Sequence, residues 1–337
     1  MSAVAVDAGL GRPAQAAAGT DRAPRWVTLF NEHGFHALNL QDGQRVVTAA
    51  VDDADGRRIG ALSGVLDGVV FVSGHSAPFG GLDLVRERET PANVARLVDG
   101  ALAQVRAQGA RTIRLRLPPP CHGDSEGLVQ FTLLNRGFTV ARCELNQHVD
   151  LQGLNGPDDY IAGLKSPARR ALRRLLGPEF GFRQAHGAAE WDRAHALLVA
   201  NRARKGRTFA LSRAYVDAAR AALGDRVRMY ELLHGERLVA AALVYRVREQ
   251  RDLVVAWGDD DHGLERSPMN LLAYRVVETA LADGVRTLDL GISNEPEGGP
   301  DGALIPNPGL VQFKQSVLAR IQPRLTLSRT FPEAVTR

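Results

Sequence analysis

Gly109-Ala110-Arg111-Thr112-Ile113 recurs half a chain later as Gly284-Val285-Arg286-Thr287-Leu288. Each copy follows an amphipathic segment. In the first, about Pro91 to Gln108, Val94, Leu97, Val98, Ala101, Leu102 and Val105 repeat at intervals of three and four. In the second, about Asn270 to Asp283, Leu271, Leu272, Tyr274, Val276, Val277 and Ala280 do the same. That spacing places an apolar stripe on one side of a helix. The glycine then ends each helix, and a strand follows, Arg111 to Leu117 and Arg286 to Leu290.

Working outward, the halves keep matching. Val47 to Val51, an Asp55-Gly56 turn and Ile59 to Leu66 read as a hairpin, as do Val227 to Leu233, His234-Gly235 and Leu238 to Val247. A third strand follows each hairpin, Val69 to Ser73 and Asp252 to Trp257. A closing strand ends each half, Gly137 to Val149 and Ile321 to Leu327. The order in both is hairpin, strand, helix, strand, helix, strand. This is an α/β chain with mixed sheets, built as two tandem domains related by internal duplication. A turn-rich joint at Gln152 to Pro157 separates a domain over 25–150 from one over 151–330, with a cleft expected between them as the ligand site. Residues 1–24 read as a disordered tail, without the basic start and apolar block of a signal peptide.

The chain of 337 residues is long enough for two cores. It has no apolar run long enough for a membrane helix, so no membrane association is expected. Its two cysteines, Cys121 and Cys143, fit no zinc spacing and suit a reducing, cytoplasmic setting. A net charge of +4 permits a polyanionic partner. Lysine is scarce beside arginine, which draws notice to Lys165, Lys205 and Lys314.

Four short motifs extend the pattern. Leu288 to Ser293 has the form D-x-G-x-S, on Asp289, Gly291 and Ser293. Gly309 to Lys314 ends in Phe313-Lys314. Leu164 to Arg170 opens a helix on a Lys/Ser/Arg cluster, and Ser76 to Gly81 is a small Pro/Gly loop. With these motifs the strand and helix order resembles the GNAT acetyltransferase fold. The doubled form is similar to its Fem-like branch, which includes the FemAB-like acetyltransferases and the peptidoglycan aminoacyl-tRNA transferases. The resemblance spans about residues 26 to 330. It implies an acyltransferase that forms amide bonds.

An ordinary GNAT enzyme holds the CoA pyrophosphate on a glycine-rich loop at a helix N-terminus. The matching stretch here, Gly263 to Asn270, has one glycine, and Pro268 lacks an N–H; the first-half counterpart at Pro78 to Leu82 also departs from the pattern. Fem-like relatives that lack this loop take activated amino acids from aminoacyl-tRNA, so the resemblance implies aminoacyl-tRNA as the co-substrate, with acyl-CoA as the alternative and no permanently bound cofactor. The expected acceptor is the amine of a small molecule. DNA is not expected as a partner. A catalytically inactive peptide- or RNA-binding module is the reading from another class.

Amide formation needs a proton acceptor for the amine and stabilisation of an oxyanion. Lys314 is the first candidate for the oxyanion, Asp289 for binding or deprotonating the amine, and Ser293 for donating to a carbonyl. The plain alternatives are a solvated helix lysine, an Asp capping a loop or pairing with Arg, and a turn serine. Phe313, Gly291, Trp257, Asn294, Ser267, Asn270, Ser76 and Phe79 are expected to line the substrate. Glu295 is a second candidate base and His75 a lesser one. Lys165, Arg169, Arg170, Arg173 and Arg174 form a basic helix face suited to tRNA phosphates, with Ser166 as its cap and Pro167 in its first turn. Arg202, Arg204, Lys205 and Arg207 form a second basic cluster at a helix end. Asp259 to His262 resemble metal ligands in type, but adjacent loop residues seldom converge on one ion, and no metal is expected.

Overall fold

The computed structural model describes residues 24–260, 268–295 and 303–332. In chain order the first half holds α1 (His33–Asn39), β1 (Arg45–Asp52), β2 (Arg58–Asp67), β3 (Val70–Ser73), β4 (Leu82–Leu84), α2 (Pro91–Ala107), β5 (Thr112–Arg116), α3 (Glu126–Leu134) and β6 (Thr139–Asp150). The second holds α4 (Pro157–Gly163), α5 (Ser166–Arg173), β7 (Phe180–Gln184), α6 (Ala188–Arg204), α7 (Arg213–Leu223), β8 (Val227–His234), β9 (Arg237–Arg248), β10 (Arg251–Asp259), α8 (Met269–Ala282), β11 (Thr287–Ile292), α9 (Pro308–Ser316) and β12 (Arg320–Thr330). The repeated order is present in both halves. Both repeat glycines end their helices as expected: Gly109 and Gly284 have φ of +99° and +69°, a conformation that costs glycine nothing.

Contacts divide the chain into two compact units. Among the described residues, one comprises 24–146 with 322–332, and the other the described part of 147–321. The closing strand of the second half thus counts with the first unit, where Thr326 to Thr330 pair antiparallel with Arg116 to Thr112 of β5. The domain expected over 151–330 differs in this respect. Sequence periodicity identifies a strand but not the sheet that receives it.

In the first unit β1 and β2 form the antiparallel hairpin, and β3 and β5 pair in parallel. Val94, Leu97, Val98 and Ala101 of α2 pack with Val47, Ile59, Leu62 and Ile113 in one core. In the second unit β7, β8, β9 and β10 form an antiparallel meander. α8 then carries the chain back so that β11 pairs in parallel with β10. Leu271, Leu272, Val276 and Val277 of α8 fill this core with Val239, Val244, Leu288 and Leu290.

One local reading changes. Ser166 does not cap α5: it is the first helical residue, Lys165 holds the cap position, and no side-chain cap bond forms. Pro167 does sit in the first turn, where its missing N–H is harmless. Among the described residues no helix is long and apolar enough to cross a membrane.

Candidate active site

β10 and β11 pair over only three residues, from Arg251–Thr287 to Leu253–Asp289. Beyond them β10 carries an irregularity between Val254 and Ala256, and β11 runs into Gly291 at φ +72°. Three side chains converge on this strand end. The Asp289 carboxylate is 1% exposed, and its Oδ1 accepts from the Gly291 N–H at 2.8 Å, closing a tight turn around its own strand. Lys314, also 1% exposed, donates from Nζ to the carbonyls of Gly291 (2.8 Å) and Ile292 (2.9 Å). Ser293, fully buried, donates from Oγ to Gln147 Oε1 at 2.7 Å, and Gln147 donates in turn to the Val311 carbonyl of α9.

Lys314 is therefore not a solvated helix lysine. α9 begins at Pro308 with Asn307 as cap, whose Oδ1 accepts from the Leu310 N–H. Leu310, Lys314 and Val317 then fall at i, i+4 and i+7, so the ammonium occupies a place on the inward stripe. A buried ammonium needs acceptors, and here the two carbonyls at the end of β11 serve. The same segment is fixed from its other side. Asn307 N donates to the Ser293 carbonyl, Glu295 N to the Ile305 carbonyl, and Asn294 bridges Pro306.

The remaining candidates are distributed around this point. Trp257 at the end of β10 meets Phe313 of α9 edge to face at 5.3 Å. Glu295 accepts from Arg207 at 2.7 Å, so it is an ion-pair partner here. Asn270 lies in the first turn of α8 and lines a shallow crevice with Tyr160, Leu164, Leu172 and Val317; its Oδ1 is buried without a partner. Burial raises the Tyr160 phenol, whose hydroxyl donates to the Val317 carbonyl. Tyr274 is pushed up to about 12 by burial and by its hydrogen bond to Glu278. Ser267 and the stretch 261–267 that includes His262 lie outside the described residues.

On α5, Lys165, Arg170, Arg173 and Arg174 are exposed, and Arg169 donates to the Ala162 carbonyl. Leu172 is the buried residue of α5, and Leu164 and Leu175, which flank the helix, are buried as well. At the end of α6, Arg204 donates to the Asp259 carbonyl. Lys205 is held below the usual lysine range by partial burial, partly offset by Asp259, with Arg202, Arg204 and Arg207 adding to the depression.

Sequence reasoning did not single out Gln147 or Asn201. For Gln147 a signal existed: Asn146, Gln147 and His148 are a polar run inside a strand. Asn201 of α6 is fully buried and donates from Nδ2 to both the backbone and the side chain of Asp259, each at 2.9 Å. Its side chain lies against Gly258 so closely that a Cβ there would sit 2.6 Å from Asn201 Cγ. Gly258→Ala is expected to destabilise the chain by about 1–3 kcal/mol through overpacking. Chemical denaturation would read this as a lower midpoint at constant slope, and an unchanged midpoint would rule it out.

Ser76 and Phe79 belong to the first unit. Ser76 is exposed, with φ of +50°. Phe79 is 1% exposed and packs edge to face on Phe30 at 5.1 Å, so in this state it is a core residue. His75 is lowered by burial, and its Nε2 is buried without a partner.

Residues 164–297 match the family model described as the acetyltransferase (GNAT) domain. No curated protein matches the sequence. Among solved structures, FemX is similar with a TM-score of 0.65 and 12% identity, covering 86% of this chain and 89% of that one. L-PGS from Bacillus licheniformis is similar with a TM-score of 0.52 and 11% identity, covering 87% and 86%. At such identities the likeness is one of fold, and it extends over both halves of the chain.

Proposed function

We propose that this chain, whose residues 164–297 match a GNAT acetyltransferase domain and whose fold is similar to that of FemX, is an acyltransferase that forms amide bonds, moving an aminoacyl group from aminoacyl-tRNA to the amine of a small molecule. The observation that carries the tRNA donor is the face of α5. Lys165, Arg170, Arg173 and Arg174 are exposed there, and none has an ion-pair partner among the described residues. Guanidiniums free of carboxylates suit a phosphate backbone. Pro268 supports the same choice. It stands at the cap of α8, where a pyrophosphate would seek backbone donors, and it has no N–H to give.

In the reaction the amine nitrogen attacks the ester carbonyl, a C–N bond forms, the C–O bond to the tRNA breaks, and the leaving oxygen takes up a proton. Negative charge gathers on the carbonyl oxygen in between. Asp289, Ser293 and Lys314 shape the strand end at which this occurs. Their polar atoms are engaged by the backbone or by Gln147, so they act as positioning groups for residues 289–295. The ammonium of Lys314 adds a fixed positive charge directly behind that segment.

The match to an acetyltransferase domain favours a second reading, transfer from an acyl-CoA. Calorimetric titration with CoA and acetyl-CoA near physiological salt separates the two. The tRNA reading expects no heat at millimolar ligand, together with coupling from charged tRNA in an acceptor screen. Saturable CoA binding at about 1–100 μM, roughly −8 to −5.5 kcal/mol, would establish the second reading instead.

A further inference from the structure

The first unit contains a concentration of positive charge that neither the strand end of β11 nor the face of α5 uses. Arg116 of β5 stands directly opposite Thr326 of β12, and Arg114 opposite Ser328. Residues opposed in an antiparallel pair share a face, as do residues two apart along a strand, so Arg114, Arg116, Arg324 and Thr326 lie on one side of the sheet. Arg324 reaches Glu144 of β6 through Nε (3.0 Å) and Nη2 (2.6 Å), and Arg142 reaches the same carboxylate at 3.2 Å. The cluster thus holds four guanidiniums and one carboxylate, and that carboxylate already serves two of the four.

Arg116 has no carboxylate of its own among the described residues. It is half-buried, and its Nη1 donates to the Ala77 carbonyl at 2.5 Å. Its guanidinium is depressed by burial first and then by Arg324, relieved in part by Glu144, with Arg142 and Arg114 opposing. A charge kept under such conditions calls for an anion. A second observation at the same place is independent of charge. Thr326 is 6% exposed, and its Oγ1 is buried with no hydrogen-bond partner. A buried hydroxyl left unpaired costs stability, and such groups are uncommon unless something else binds them.

We propose that this face of the first unit is a binding site for the phosphate or diphosphate group of a small-molecule substrate, held by Arg116 and Thr326 with Arg114, Arg142 and Arg324 supplying the field. Three surplus positive charges suit a multiply charged anion better than a single carboxylate. A hydroxyl donor beside a guanidinium fork suits a tetrahedral oxyanion. Thr326 is recessed, which favours a compact group over a nucleic-acid backbone. The site is independent of which acyl donor is used.

Sodium pyrophosphate, titrated calorimetrically into the full chain at low salt, is the test. Saturable binding is expected. Thr326→Val should weaken it about fivefold to tenfold without lowering the melting temperature, because it removes an unpaired buried hydroxyl. A protein in which Thr326 is merely a tolerated core residue would show no such loss. The exposed pair Arg114→Gln and Arg142→Gln should weaken it about tenfold, and the melting curve reports whether the fold is kept. The α5 reversal Arg170→Glu, Arg173→Glu, Arg174→Glu should leave pyrophosphate affinity unchanged, which separates this site from tRNA binding. No heat with several millimolar pyrophosphate in the folded wild-type chain overturns the proposal, as does wild-type affinity in both the Thr326 and the paired Arg variants.

Discussion

Lys314→Met is expected to lower the turnover number for acyl transfer by about a hundredfold or more and to destabilise the second unit by about 2–4 kcal/mol. Methionine matches the length of the lysine stem and keeps the apolar contacts on the inner side of α9. What it removes is the ammonium that bonds the Gly291 and Ile292 carbonyls. Both carbonyls then lose a charged partner that water can partly replace, one carbonyl on half-buried Gly291 and one on the more exposed Ile292. A hydrogen bond to a charged group contributes about 1.5–3 kcal/mol, so losing two gives the stability figure after partial relaxation. The rate follows from geometry and field together. The segment 289–293 loses one of three anchors, and the strand end loses a fixed positive charge. Preorganised charge at a developing oxyanion is typically a factor of 10²–10³. Steady-state transfer kinetics and thermal unfolding on the same sample check both parts. A Met variant that keeps turnover within twofold would remove Lys314 from the mechanism. A variant that loses stability but not turnover would confine it to folding.

The fold was legible because its signals were local and repeated. Two amphipathic helices, each closed by a glycine at positive φ and followed by a short strand, fixed the repeating unit, and α2 and α8 begin and end within a residue or two of the expected places. The exchange of β12 into the first unit was not legible. Its apolar residues, such as Leu325 and Leu327, suit either sheet, and only long-range pairing with β5 decides between them.

The grouping of the candidate residues was legible, but their surroundings were not. D-x-G-x-S and Phe-Lys drew attention to Asp289, Gly291, Ser293 and Lys314, and the structure brings all four to one strand end. The roles depend on burial. A lysine in a helix reads as solvated until one sees Leu310 and Val317 flanking it on the same stripe, and Asp289 reads as an open base until its neighbours close over it. Hydrogen bonds such as Ser293 to Gln147 join residues nearly half the chain apart, and no spacing rule reaches that far.

Replacing Arg170, Arg173 and Arg174 together by Glu is expected to weaken binding of aminoacyl-tRNA by about a hundredfold or more while leaving the melting temperature within a few degrees of wild type. The stability claim rests on exposure. All three side chains are exposed and form no ion pair among the described residues, and the segment is anchored by buried Leu172 of α5 and by Leu175 just beyond it. Surface substitutions of this kind usually cost less than about 0.5 kcal/mol each. The binding claim rests on counterions. Each phosphate neutralised by a cation releases a condensed ion, and the slope of log affinity against log salt changes by roughly 0.7–0.9 per contact. Three contacts should therefore flatten that slope by about 2–3, and reversal adds repulsion to the loss. The slope is the decisive reading, because a general loss of fold would reduce affinity without this graded dependence. An unchanged slope would mean that α5 does not meet the tRNA, whatever the donor. A flattened slope with intact turnover on a minimal aminoacyl donor would place α5 in recognition of the nucleic acid and leave the chemistry to the strand end of β11.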